Sequence, residues 1–121
     1  MTNRKAQLQA LGALADLMLD SRLVALRAAA EARNASLARL DALNATPAAT
    51  DLPLIAEALA SLGYQRWADA RRAEINLVLA RQTAEWLEAR DAARTTFGRK
   101  QALQGLATRL EGRRKSPDQP S

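Results

Sequence analysis

Asn44-Ala45-Thr46-Pro47-Ala48-Ala49-Thr50-Asp51-Leu52-Pro53 is the only stretch of this 121-residue chain dense in turn and capping residues. No proline precedes Pro47 and none lies between Pro53 and Pro117, so two long proline-free runs flank the stretch. Thr50 or Asp51 can accept the orphan amide hydrogens of a new helix, and Pro53 is tolerated within a first turn. The reading is all-α: one helix over about residues 3–44, a turn over about 45–51, and a second, longer helix over about 52–114. Gly63 is a candidate break, because it can cap a short helix from Pro53 to Leu62. The last residues, 116–121, read Ser-Pro-Asp-Gln-Pro-Ser, which cannot continue a helix and predict a disordered tail.

Composition supports the helical reading. Of the 121 residues, 48% are apolar, with 28 alanines and 20 leucines against two valines, two isoleucines and four aromatics. Strands draw on β-branched and aromatic side chains that are scarce here. Cysteine and histidine are absent. Disulfide frameworks, thiolate nucleophiles and imidazole bases are therefore excluded, and the usual zinc ligands are missing.

Apolar residues in the first run fall at Leu8, Leu11, Ala15, Met18, Leu19, Leu23, Leu26, Ala30, Leu37 and Leu40, at spacings of three and four. The seam slides by one position near Met18 and Leu19, and Arg33 and Asn44 interrupt it with polar groups. In the second run Ile55, Leu59 and Leu62 open a stripe, Ile75, Leu79, Trp86, Ala89, Ala93 and Phe97 continue it, and Leu103, Leu106 and Leu110 finish it. Neither helix can bury its stripe alone, so the two are expected to form an antiparallel coiled-coil hairpin in a single unit, residues 1–115. A turn centred near Ala48 would set the chain start opposite about residue 93 and leave everything past Phe97 overhanging without a partner. The stripe on that overhang, Leu103, Leu106 and Leu110, then becomes a candidate surface for another protein.

Charge is +5 overall, and the surplus concentrates after residue 97, where Arg99, Lys100, Arg109, Arg113, Arg114 and Lys115 face only two acids. A basic helix can neutralise phosphates, but acidic residues are interspersed up to Asp91 and stacking aromatics are few, so nucleic acid ranks low among the partners. Glu85, Glu88 and Asp91 form an acidic row beside Arg81 and Arg90, and Asp16 and Asp20 form another pair; both read as solvated, ion-paired faces. Phosphate-cradling glycine loops are missing, and a pair of helices offers little concavity. The chain is expected to be a non-enzyme without catalytic, cofactor or metal sites and without a small-molecule substrate, cytoplasmic, with any membrane contact made through partners. Tyr64 and Trp67 share a helix face. They either fill a gap near Ala30 and Asn34 or act as an interface anchor, while Trp86 belongs to the inner stripe.

The segment Tyr64-Gln-Arg-Trp-Ala-Asp-Ala-Arg-Arg-Ala-Glu-Ile75, followed by Trp86-Leu-Glu-Ala-Arg90 and a basic, leucine-spaced end, resembles the FliJ family of flagellar export proteins and its YscO-like type III secretion relatives. The likeness covers roughly residues 62–115. It implies a non-enzymatic coiled coil of a bacterial export apparatus, a stalk or chaperone escort working between an export ATPase, an export-gate protein and export chaperones, at the flagellar base. By matching positions it implies that Tyr64, Gln65, Trp67 and Ile75 touch the gate or chaperones, with Arg71 standing where the family commonly has leucine. It also implies that the basic end, with Arg99, Lys100 and Arg113 around Leu103, Leu106 and Leu110, lies near the ATPase. The alternative from a different class is a self-associating helical module, in which a homodimer buries the leftover stripe.

Overall fold

The computed structural model describes residues 2–45 and 53–115. Two helices account for nearly all of them, α1 over Thr2–Asn44 and the longer α2 over Leu54–Lys115. They pack against each other, and no strand occurs among the described residues. Both are built largely from alanine, leucine, arginine, glutamine and glutamate, the residues that lose least on entering a helix. Their bounds fall within two residues of those expected from the sequence. The turn from residue 46 onward, the caps at Thr50 and Asp51, and the tail at 116–121 lie outside the described residues.

α2 starts one residue after Pro53, whose carbonyl accepts the Glu57 amide at 2.8 Å. Proline suits this place because its fixed φ leads into the helix and it has no amide hydrogen to orphan. Glu57 puts a carboxylate in the first turn, against the positive end of the helix dipole. The break considered at Gly63 does not occur: α2 runs through it without interruption. The roughly 1 kcal/mol that a helical glycine costs is too small to end a helix flanked by good helix formers.

Within the hairpin two compact units are distinguished, one drawn from residues 1–27 and 87–121 and the other from 28–86. In the first, Leu8, Gly12, Ala15, Met18, Leu19 and Leu26 are the less exposed positions of α1, and Ala89, Arg90, Ala92, Ala93, Thr96, Lys100, Leu103 and Leu110 those of α2. Most of them, Leu8, Gly12, Ala15, Leu19 and Leu26 with Ala89, Ala93, Thr96, Lys100, Leu103 and Leu110, are spaced by three, four or seven, as in a coiled-coil seam. Lys100 Nζ meets Asp16 Oδ1 at 2.9 Å. Thr96, almost fully buried, donates its hydroxyl to the Ala92 carbonyl at 2.9 Å, which leaves no orphaned polar group there.

In the second unit the seam is more polar. Ser36, 1% exposed, donates to Gln82 Oε1. Arg33 donates from Nε to Thr83 Oγ1 at 3.1 Å and lays its guanidinium 5.5 Å from the centre of the Trp86 ring. Arg72 donates from Nε to Asn44 Oδ1 at 3.0 Å. Arg33 and Asn44, which weaken an apolar seam on paper, thus engage partners across it. Trp86 lies on the inner stripe as expected.

These pairs correct the expected register. Residue 16 lies against residue 100 in one unit and residue 44 against residue 72 in the other. A turn centred near Ala48 would instead have placed residue 16 against about residue 80, a displacement of roughly 30 Å along the helix at 1.5 Å per residue. The stretch after Phe97 is consequently not an unpartnered overhang. Thr96 is buried, Leu103 and Leu110 are half-buried, and Lys100 is ion-paired to α1. The overhang lies at the other end of α2, where every residue from Leu54 to Trp67 is exposed and burial begins at Ala68. Alanine-rich heptads repeat so uniformly that apolar periodicity alone is satisfied by several alignments; cross-seam polar pairs choose among them.

Candidate docking surface on the second helix

The start of α2, which has no α1 residue opposite it, exposes Leu54, Ile55, Leu59 and Leu62, with Leu54 83% exposed. Tyr64 and Trp67 follow on the same helix, their ring centroids 5.8 Å apart with the planes inclined at 41°. Trp67 is 57% exposed and Tyr64 37%. The gap-filling role near Ala30 and Asn34 is therefore not the one these rings play. They stand instead beside the end of α1, where they join Arg39, Ala42, Leu43, Arg71 and Ile75 in lining an open groove of about 400 Å³.

Geometry explains the groove. α1 ends at Asn44, held by Arg72, so the α2 turns that precede Arg72 carry their side chains past the last turn of α1. Ile75, 5% exposed, forms part of the floor, and Leu43 and Ala42 supply the α1 wall. Two arginines line it, Arg39 and Arg71, and Arg72 lies outside the lining. Arg71 is also bonded to Glu74 at 3.0 Å, and Arg72 to Asp69 at 2.7 Å, both pairs solvent-exposed and i,i+3 on one helix. Such pairs exchange readily for intermolecular ones, since an exposed pair is worth only about 0.2–1 kcal/mol.

The sequence-derived contact residues separate into two groups. Tyr64, Trp67, Arg71 and Ile75 come together at the groove, with Gln65 exposed on the same turn. Leu103 and Leu110 face inward in their own unit, whereas Leu106 is off the seam and 48% exposed. Arg99 and Arg113 are exposed. Leu103, Leu106 and Leu110 thus do not form one outward stripe.

Two further apolar rows were not singled out from the sequence, although their spacing was in it. On α1, Leu14, Leu17 and Val24 point outward, with Leu17 67% exposed. On α2, Ala70, Ala73, Leu77, Ala80, Ala84 and Leu87 recur at steps of three and four, all of them exposed and Leu77 75% so. Each row is a second heptad seam on a helix that already uses another seam for α1–α2 packing.

Chemistry beyond docking has little to stand on. Among the described residues no three acidic, histidine or cysteine side chains converge, and Asp91 of the Glu85-Glu88-Asp91 row sits 3.9 Å from Arg90. Among them too, no helix is long and apolar enough to cross a membrane. Comparisons of the chain with protein-family models, with curated proteins and with solved structures give no match.

Proposed function

We propose that this chain is a non-enzymatic docking protein, a helical hairpin that presents the start of α2 to a protein partner, and that it serves a bacterial flagellar or type III export apparatus as a stalk or chaperone escort. The observation that carries the docking role is the exposed pair Tyr64 and Trp67 in the groove beside Arg39 and Arg71, on a helix segment whose Leu54, Ile55, Leu59 and Leu62 are exposed as well. Exposed leucine and isoleucine on one face of this segment, and tyrosine and tryptophan beside arginine on another, are the residue types that anchor interfaces. The groove suits a partner segment that inserts one apolar side chain and carries carboxylates to meet the two guanidinium groups. The export assignment is supported by the likeness of the Tyr64–Ile75 segment to FliJ-like proteins, which puts the gate or chaperone contact on the same residues.

The test is a titration of the purified chain against the cytoplasmic domain of an export-gate protein, an export chaperone and an export ATPase, with Trp67→Ala and Tyr64→Ala variants beside the parent. The reading requires binding by the parent and a loss of at least about tenfold in Trp67→Ala at unchanged helical content. Absence of binding to all three by the parent would refute the export assignment. Equal binding by parent and variants would move the docking site elsewhere.

A further inference from the structure

The outward row on α2 remains unexplained by the groove, and its flanks say what covers it. Taking Ala70, Leu77 and Ala84 as one core position of a heptad and Ala73, Ala80 and Leu87 as the other, the flanking positions include Glu74, Arg81 and Glu88 on one side and Asp69 and Asn76 on the other. α2 is an unbroken helix through all of these residues. Ile75 and Gln82, diametrically opposite, belong to the seam with α1, so the row is turned away from that seam.

We propose that α2 packs through this row, antiparallel, against α2 of a second copy of the chain about a twofold axis between Leu77 and Ala80. In that alignment each Leu77 meets Ala80 of the second copy, each Ala73 meets Ala84, and each Ala70 meets Leu87, so leucine faces alanine in the two innermost and two outermost layers and alanine faces alanine between them. Alternation of this kind lets two helices interlock closely. Antiparallel pairs bring like flanks together, which sets each Glu74 beside Arg81 of the second copy, twice over by symmetry.

Charge selects this alignment from its neighbours. Sliding by one heptad in one direction puts Glu74 against its own symmetry mate. Sliding the other way puts Arg81 against Arg81 and Glu74 against Glu88. A parallel, in-register pair sets Asp69 against Glu74. Each of these places like charges together at the flank, a destabilising arrangement that discriminates between registers. The outward row on α1 has no comparable set of flanking charges: Ser21 and Glu31 fall in it, and an alignment that pairs Asp20 with Arg27 opposes Leu14 to Glu31. Tyr64, Arg71 and Ile75 of the groove lie off this row, while Trp67 falls at the flanking position beside Glu88 of the second copy, so Leu77→Glu and the Glu74 and Arg81 exchanges, not Trp67→Ala, separate self-pairing from the docking role above.

Sedimentation equilibrium on the full chain tests the proposal with a charge-exchange cycle. The parent dimerises in the micromolar range, and Leu77→Glu is monomeric at unchanged helical content. Glu74→Arg and Arg81→Glu each weaken the dimer about tenfold by turning two attractions into two repulsions, and the double exchange Glu74→Arg/Arg81→Glu returns it to within about threefold of the parent. A parent that stays monomeric at about 100 μM would overturn the proposal. So would a dimer indifferent to Leu77→Glu, or single exchanges that the double exchange fails to rescue, since either means that another face carries the association.

Discussion

Arg72 Nε donates to Asn44 Oδ1 at 3.0 Å, and this one bond fixes which end of α2 is left over. With residue 44 tied to residue 72, the α2 turns before residue 68 have no α1 residue opposite them. The exposed leucines, isoleucine and aromatics of residues 54–67 follow from that alignment. If the register were shifted to pair Asn44 with residue 52, the same side chains would be core and the basic end would be the free surface.

The ion pair in the other unit should report the same alignment energetically. A double-mutant cycle on Asp16→Ala and Lys100→Ala is expected to give a coupling of about 0.3–1 kcal/mol that falls with added salt. The control cycle on Asp16→Ala and Arg81→Ala, residues that only the displaced register brings together, should give zero within error. Denaturant unfolding monitored by circular dichroism measures both.

Polar seam positions should resist apolar replacement. Ser36 is almost fully buried and bonded to Gln82, so Ser36→Ala is expected to cost about 1 kcal/mol by orphaning the Gln82 acceptor. Ser36→Leu should cost about 1–3 kcal/mol, because a leucine overfills a site where a serine is already 1% exposed. A gain in unfolding free energy for Ser36→Leu would show that the seam is loosely packed there.

Among the described residues two of the buried apolar side chains are large, Leu19 and Ile75. Leu19→Ala and Ile75→Ala should each lower stability by about 2–4 kcal/mol. Leu17→Ala, two residues from Leu19 but 67% exposed, should change it by less than about 0.5 kcal/mol. Equal effects at Leu17 and Leu19 would contradict the assigned seam of α1.

Glycine placement gives an opposite-sign prediction. A Cβ built on Gly63, Gly98 or Gly105 meets nothing within 4 Å, and none has the positive φ that would make a side chain strained. Each Gly→Ala substitution should therefore stabilise the chain by about 0.5–1 kcal/mol, additively across the three sites. Thermal unfolding of the single and triple variants measures it.

Much of the architecture was legible because it rests on local chemistry. The proline-flanked stretch at 44–53, the alanine and leucine content and the three-and-four spacing dictate two long helices whatever their alignment. Alignment itself was not legible, because alanine and leucine recurring at three-and-four spacing on more than one face of each helix distinguish poorly between registers. What decides it are Asp16 with Lys100, Arg33 with Thr83, Ser36 with Gln82 and Asn44 with Arg72, pairs separated by 28 to 84 positions that no local pattern marks. Tyr64, Trp67 and Arg71 stood out by residue type and do come together at the groove, whereas Leu103 and Leu110 were misread as free because the register was misplaced. The outward row from Ala70 to Leu87 was hidden for another reason: alanines at helical spacing read as filler until the opposite face is seen to be taken.

The register is the claim on which the docking surface depends, and a distance measurement reads it directly. The chain has no cysteine, so Asp20→Cys and Thr95→Cys place two spin labels in one unit without competing sites. Double electron–electron resonance should give a separation of under about 25 Å, because residues 20 and 95 lie at nearly the same height along the seam fixed by Asp16 and Lys100. A separation beyond about 30 Å would mean that α1 pairs with the earlier turns of α2, as a turn at Ala48 demands. In that case residues 54–67 would be core, and the binding surface would lie past Phe97 after all.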